Sequence, residues 1–227
     1  MDRRFEVRKQ EMLAECQVAP EIFQGVQERM KQFVQPFTDL LARPAQREHT
    51  LDYVSGLVSD LERKNIESIA YRLDQDRRNL QHFIGSAEWN HQPLFAELAG
   101  QVGRELGEAD AVIVFDPSAF GKQGKQSVGV ARQWSGRQGK VDNCQVAVYM
   151  GYISRKDRQL VNTRLYLPEE WTSDRKRMKA AGVPKGIRFQ TRHALALEML
   201  AEQGHQLPHA WVAGDDEMGR TTHFRRD

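Results

Sequence analysis

From Ile22 onward the apolar residues recur at steps of three and four. Ile22, Val26, Met30, Phe33, Val34, Phe37, Leu40 and Leu41 mark one face of a helix, which Pro36 is expected to kink. Ile66, Ile69, Ala70 and Leu73 predict a second helix, and Leu80, Phe83 and Ile84 a third. Ser59 and Glu62 stand at capping-box spacing ahead of this pair. Trp89, Leu94, Phe95 and Leu98 extend the pattern. A helix must bury one face, so these stripes read as core rather than as binding surface. Residues 1–105 therefore read as a helical region.

After Gly107 the period changes from helical to strand-like, which places a domain boundary there and a second domain over 106–227. Residues 111–115 (AVIVF) form a short, continuous apolar run of the kind found in a buried central strand, and the run stops at Asp116. Residues 126–131 and 144–153 predict two more strands, joined by a Gly-rich basic hairpin, and 160–167 a fourth. Residues 173–181 and 192–203 predict helices, the second closed by Gly204, and 210–213 is a last strand running into Asp215 and Asp216. The expectation is an α/β chain, in the sense of an α+β mixed sheet behind a helical module.

Composition narrows the class. Of the 227 residues, 40% are hydrophobic and 28% charged, a globular balance. No apolar run approaches the roughly 20 residues of a membrane span, and the N-terminus lacks the apolar core of a signal peptide, so no membrane partner and a cytoplasmic location are expected. Cys16 and Cys144 are far apart without metal-ligand spacing, and Cys144 reads as a small strand residue. Net charge is only +2, yet Lys122, Lys125, Arg132, Arg137 and Lys140 fall in one stretch without a carboxylate, and Arg175, Lys176, Arg177 and Lys179 form a second cluster. Local fields of this kind bind phosphate backbones, although a solvated basic face looks the same in sequence.

Asp116 and Asp215 each follow a predicted strand. If the first and last strands are neighbours, their ends bring the two carboxylates together, and carboxylates so placed bind hard divalent cations through oxygen. A structural role is open for each. Asp116-Pro117-Ser118 suits a turn, and Asp215, Asp216 and Glu217 suit a helix N-terminus. GKQGKQS lacks the spacing of a nucleotide-binding loop, and Gly204 and Pro208 separate His205 from His209 too irregularly for a helical pair. Trp134 and Trp171 lie beside the basic segments, where stacking on bases competes with the more common packed or hairpin role.

Longer strings carry more information. VFDPSAFGKQGKQSVGVARQW, GKVDNCQVAVYMGY, RLYLPEEW, AGVPKGIRF and AWVAGDDEMG, with YVSGLVSDLERKNIESIAYRL and LQHFIGSAEW upstream, resemble in unbroken order the signature blocks of one branch of bacterial insertion-sequence transposases of the DDE superfamily endonuclease type. The resemblance implies an RNase H-like domain in which two aspartates and a distant glutamate hold Mg2+ or Mn2+. It assigns Asp116 to the first aspartate position and Asp215 to the second, with adjacent Asp216 an alternative metal ligand. Met218 departs from the tyrosine common before Gly219. The resemblance further implies that Lys122, Lys125, Arg132, Arg137 and Lys140 contact DNA and that the helical region 1–105 is a DNA-binding module. The partners it implies are the terminal inverted repeats and target DNA.

The implied chemistry is hydrolysis of a strand at the element end followed by attack of the freed 3′-hydroxyl on target DNA. After Asp216 the only carboxylates are Glu217 and Asp227, both too near to be the distant glutamate. An incomplete, C-terminally truncated RNase H-like domain lacking catalytic activity is therefore expected. The alternative is a non-catalytic DNA-binding or inhibitory remnant that associates with itself or with the full-length enzyme, and a third reading is a poorly folding pseudogene product.

Overall fold

The computed structural model describes Val7 and residues 24–219. Cys16, Ile22 and Asp227 lie outside the described residues. The chain divides into two units, Met1–His91 and Gln92–Asp227.

The first unit holds α1 (Val26–Asp39), α2 (Pro44–Val58), α3 (Ile66–Arg72) and α4 (Arg77–Gly85), of which α1, α3 and α4 correspond to the predicted helical stripes and α2 has no predicted counterpart. Pro44 opens α2, where its missing N–H costs no helical bond. The start signal for α3 differs from the expected one. Asn65 caps it by accepting a hydrogen bond from the Ser68 amide at 2.8 Å, whereas Ser59 closes α2 by donating to the Gly56 carbonyl at 2.7 Å. Asp76 caps α4 in the same way as Asn65. Ile69, Ala70, Leu80 and Phe83 form the core, with Tyr53, Leu61, Ile66 and Leu73 against it. Gly56 is required there, because a Cβ would come within 2.4 Å of the Ile69 side chain. Helix α1 continues through Pro36 and buries Val34 and Thr38, but leaves Phe33 67% exposed, so its stripe is only partly core.

The second unit begins with α5 (Gln92–Leu106), which joins the sheet rather than the other helices because Leu98, Val102 and Leu106 pack into the sheet's core. There follow β1 (Val112–Gly121), β2 (Ala131–Ser135), β3 (Lys140–Ile153) and β4 (Arg158–Tyr166). Short helices α6 (Glu169–Thr172) and α7 (Arg175–Ala180) precede α8 (Arg192–Gln203), one 3-10 turn, β5 (Trp211–Gly214) and α9 (Asp216–Gly219). Strand β3 pairs antiparallel with β1, β2 and β4, and β1 pairs parallel with β5. The result is a mixed α/β fold consistent with an RNase H-like domain. No helix among the described residues is long and apolar enough to cross a membrane.

Alternation separates the two faces of the sheet. Ile113 and Phe115 of β1 and Val148, Met150 and Tyr152 of β3 are buried on one face, where Leu195, Ala196 and Met199 of α8 cover them, and Val146 is buried on the same face beside Ala119 and Cys144. The opposite face carries Val114 and Asp116 on β1, Tyr149 and Gly151 on β3, and Leu160 on β4. A bulge opposite Met150 and Gly151 inserts buried Val161 into β4.

Two strands differ from expectation. Residues 126–130 precede β2 instead of forming a strand, since Gly129 turns the backbone at φ 78°. Strand β1 continues past Asp116 to Gly121, because β3 is long enough to pair with its whole length. Pro117 is tolerated within it because β5 ends opposite Phe115, leaving one side of β1 unpaired beyond that point.

Candidate metal centre and nucleic-acid interface

The parallel register sets Phe115 beside Gly214, so the next residues along, Asp116 and Asp215, lie side by side although they are 99 positions apart in the chain. The buried phenol of Tyr152 fixes this alignment. It donates to the Pro208 carbonyl at 2.6 Å and accepts from the Glu108 amide at 3.1 Å, tying together the segments that lead into β5 and β1. The Ala111 carbonyl also accepts from the Ala210 and Trp211 amides.

Asp116 and Asp215 are both exposed. Partial desolvation of its carboxyl, then the negative charges of Asp215 and Glu217, hold Asp116 above the usual carboxylate range. Two repelling carboxylates with oxygens open to solvent suit a hard divalent cation, whose charge would relieve the repulsion. Among the described residues no group of three His, Cys, Asp or Glu side chains is assembled for a metal, so the pair is the donor set in view.

Asp215 also serves the backbone. Its Oδ1 accepts from the Met218 amide at 3.0 Å and its carbonyl from the Gly219 amide, which makes it the cap of α9. The structural and metal-ligand readings of Asp215 therefore coexist at different atoms. Asp216 starts α9 and is exposed. Met218 is fully buried in the sheet core and anchors the turn. Gly214 permits that approach, since a Cβ would stand 2.6 Å from the Cβ of Met218.

Helix α8 holds α9 from the side. Arg192 donates to both carboxylate oxygens of Glu217, at 2.7 and 2.9 Å, and its guanidinium lies 4.9 Å over the Tyr166 ring. The His193 Nε2 is 2.9 Å from the Glu217 carbonyl oxygen. Neither residue was singled out from sequence, because nothing periodic links positions 25 residues apart.

The basic segment is split between the faces of the sheet. Arg132 pairs with Asn143 across β2 and β3, and the Lys122 amide donates to the Asn143 carbonyl at 2.9 Å, so Arg132, Asn143 and Lys122 form a row across three strands. By alternation this row shares the face of Asp116. Asn143 secures the Lys122 end by donating to the Lys122 and Gly124 carbonyls at 2.6 and 2.9 Å. Lys140 lies on the other face, opposite buried Ser135, and pairs with Asp142 at 3.2 Å. The Asn143 amide and then Lys140 hold the Asp142 carboxyl below the usual range, so Lys140 keeps its counter-charge. Lys125 and Arg137 are exposed in the flanking turns.

The two tryptophans take opposite roles. Trp171 is fully buried, donating to the Val130 carbonyl at 2.8 Å, and Arg177 stacks 3.7 Å from the centre of its ring. That cation of the second basic cluster is therefore structural. Trp134 is 56% exposed.

These features coincide with the outcome of comparison with known proteins. The chain is similar to the probable transposase for insertion sequence element IS701 of Microchaete diplosiphon, 31% identical over 94 residues that make up 41% of this chain and 25% of that one. It thus spans about a quarter of the length of the curated relative it matches. The profile of the DDE superfamily endonucleases matches residues 36–227, so the chain belongs to that family.

Proposed function

We propose that this chain carries the aspartate pair of a DDE transposase, an enzyme of DNA transposition that cuts and rejoins phosphodiesters with a divalent cation. The observation that carries the reading is the juxtaposition of Asp116 and Asp215 on parallel neighbouring strands, with their charges in mutual repulsion. Asp116 and Asp215 are the residues that would hold Mg2+ or Mn2+, with Asp216 next in line. A bound cation in such a site activates the attacking oxygen and stabilises the leaving one.

The chain's own residues supply position and charge. Tyr152 sets the register of the two strands, and the α9 cap fixes one oxygen of Asp215. Arg192 holds Glu217 in an ion pair beside the aspartates. Lys122 and Arg132 offer cations on the same face to the phosphates of the terminal inverted repeats and target DNA.

Titration of the purified chain with Mn2+, followed by electron paramagnetic resonance, tests the reading. The expected result is binding by the native chain that is lost in both Asp116→Asn and Asp215→Asn. Unchanged binding in both variants overturns the assignment. DNA binding without cleavage in the presence of metal would favour the alternative of a DNA-binding or inhibitory remnant.

A further inference from the structure

The hairpin of β2 and β3 has an aromatic surface that the carboxylate pair leaves unexplained. Trp134 stands opposite Val141, 49% exposed, and its indole N–H has no hydrogen-bond partner among the described residues. Packing does not account for it. A buried tryptophan of this chain, Trp171, is covered on its face by Arg177 and satisfied at its nitrogen.

Position does account for it. Trp134 and Arg132 are alternate residues of β2, and therefore lie on the face that Arg132 shares with Asn143, Lys122 and Asp116. Phe120, 48% exposed, belongs to the same face between Lys122 and Asp116, with its ring 6.5 Å from that of Tyr149. A strip thus runs from the aspartates through Tyr149 and Phe120 to the Arg132–Lys122 row and ends at Trp134. The six steps of extended backbone from Asp116 to Lys122, just past the end of β1, cover about 20 Å.

A flat indole on a solvent-facing sheet offers a π-surface that an unstacked base can meet, whereas the faces of bases within a duplex are already occupied. Cations beside it suit the phosphates on either side of that base. Lys122 and Arg132 lie on this face with Lys125 and Arg137 exposed in the turns that flank it, while Lys140 is paired with Asp142 on the other, so the charge of the face favours a polyanion over a second copy of this nearly neutral chain.

We propose that this face of the β2–β3 hairpin binds unpaired DNA, with Trp134 stacked on a base and Arg132 and Lys122 holding the adjoining phosphates. The proposal rests on the reading of the chain as a DNA-processing protein and adds the form of DNA that the hairpin takes, a frayed or single-stranded end led toward the carboxylates.

The test titrates the full chain with a single-stranded oligonucleotide and with its duplex, following anisotropy and tryptophan emission. Trp134→Ala, Trp134→Phe and the double variant Lys122→Ala/Arg132→Ala are compared, with circular dichroism confirming the fold. The native chain should show emission quenched by the single strand. Trp134→Ala should lose about tenfold or more in single-strand affinity, as removal of one stacked base does, with duplex affinity changed less than about twofold. Trp134→Phe should recover most of the loss. The double variant should weaken both forms and reduce the salt slope by roughly two.

Single-strand affinity of Trp134→Ala equal to native, or equal losses on both forms, overturns the proposal while leaving the DNA-processing reading in place. So does a native dimer that Trp134→Ala dissociates without changing DNA affinity, which would mark the face as a contact between copies. Absence of any DNA binding by the native chain overturns both readings.

Discussion

Arg192, the first residue of α8, holds both carboxylate oxygens of Glu217, in the four-residue helix that follows Asp215. The contact connects a long helix packed on the sheet core to the short turn that carries one member of the aspartate pair. Both bonds come from the one nitrogen Nη1, so Arg192→Lys keeps the charge and a donor but loses the planar guanidinium that lies over the Tyr166 ring. Arg192→Ala should cost about 1–2 kcal/mol in urea unfolding, the scale of partly exposed charge-assisted hydrogen bonds. Arg192→Lys should fall between the two. Manganese affinity should drop in both variants, and a native-like affinity in Arg192→Ala would show that the clamp does not position the site.

The raised carboxyl of Asp116 makes a prediction with a definite sign. A group whose folded form holds its proton more tightly than the unfolded chain destabilises the fold when ionised. The penalty is complete above the folded pKa and disappears as pH falls below the usual carboxylate range. Asp116→Asn removes the charge and keeps the shape. Its melting temperature should exceed the native one at pH 7 without metal, and the two should converge toward pH 3. A variant less stable at neutral pH contradicts the desolvation of the Asp116 carboxyl and its repulsion by Asp215 and Glu217.

Tyr152 is buried with its hydroxyl engaged at both sides. Tyr152→Phe preserves the ring and strips the Glu108 amide and the Pro208 carbonyl of their partner, so a loss of about 1–3 kcal/mol is expected. Because those two groups lead into β1 and β5, cation affinity should fall along with stability. Chemical denaturation and the same manganese titration measure the two effects separately.

Gly214 predicts the reverse weighting. An added methyl at this position meets the Cβ of Met218, so α9 must shift to admit it. Gly214→Ala should weaken cation binding severalfold while changing the unfolding midpoint much less. A variant that binds manganese normally would mean that α9 has room to adjust.

Much of this arrangement was legible in the sequence, for physical reasons. Helix α8 has the predicted bounds because its apolar period and its start at Thr191, which caps Ala194, are local. The parallel pairing that unites Asp116 and Asp215 was readable as a possibility, since both follow apolar strand-like runs. What escaped prediction depends on distant contacts. Asn65 rather than Ser59 starts α3, Gly129 delays β2, and β1 passes through Pro117 because β5 is too short to compete for that stretch. The bonds of Arg192 to Glu217 and of Tyr152 to Pro208 leave no trace in periodicity, and they are the contacts that hold the aspartates in place.

Strand β5 is four residues long and every one of them is exposed. Its pairing with β1 closes a loop that spans the intervening antiparallel strands and α8, a large entropic cost for so few residues to offset. An element so short, with so little of its surface protected, belongs to the part of a native protein that opens by local fluctuation well below the threshold of global unfolding. Amide hydrogens of Val212 and Gly214 should therefore exchange far sooner than those of Val148 and Met150 in the centre of β3. Each such opening should part the two carboxylates while the rest of the sheet stays folded, so the aspartate pair is expected to come apart well before the core that it borders.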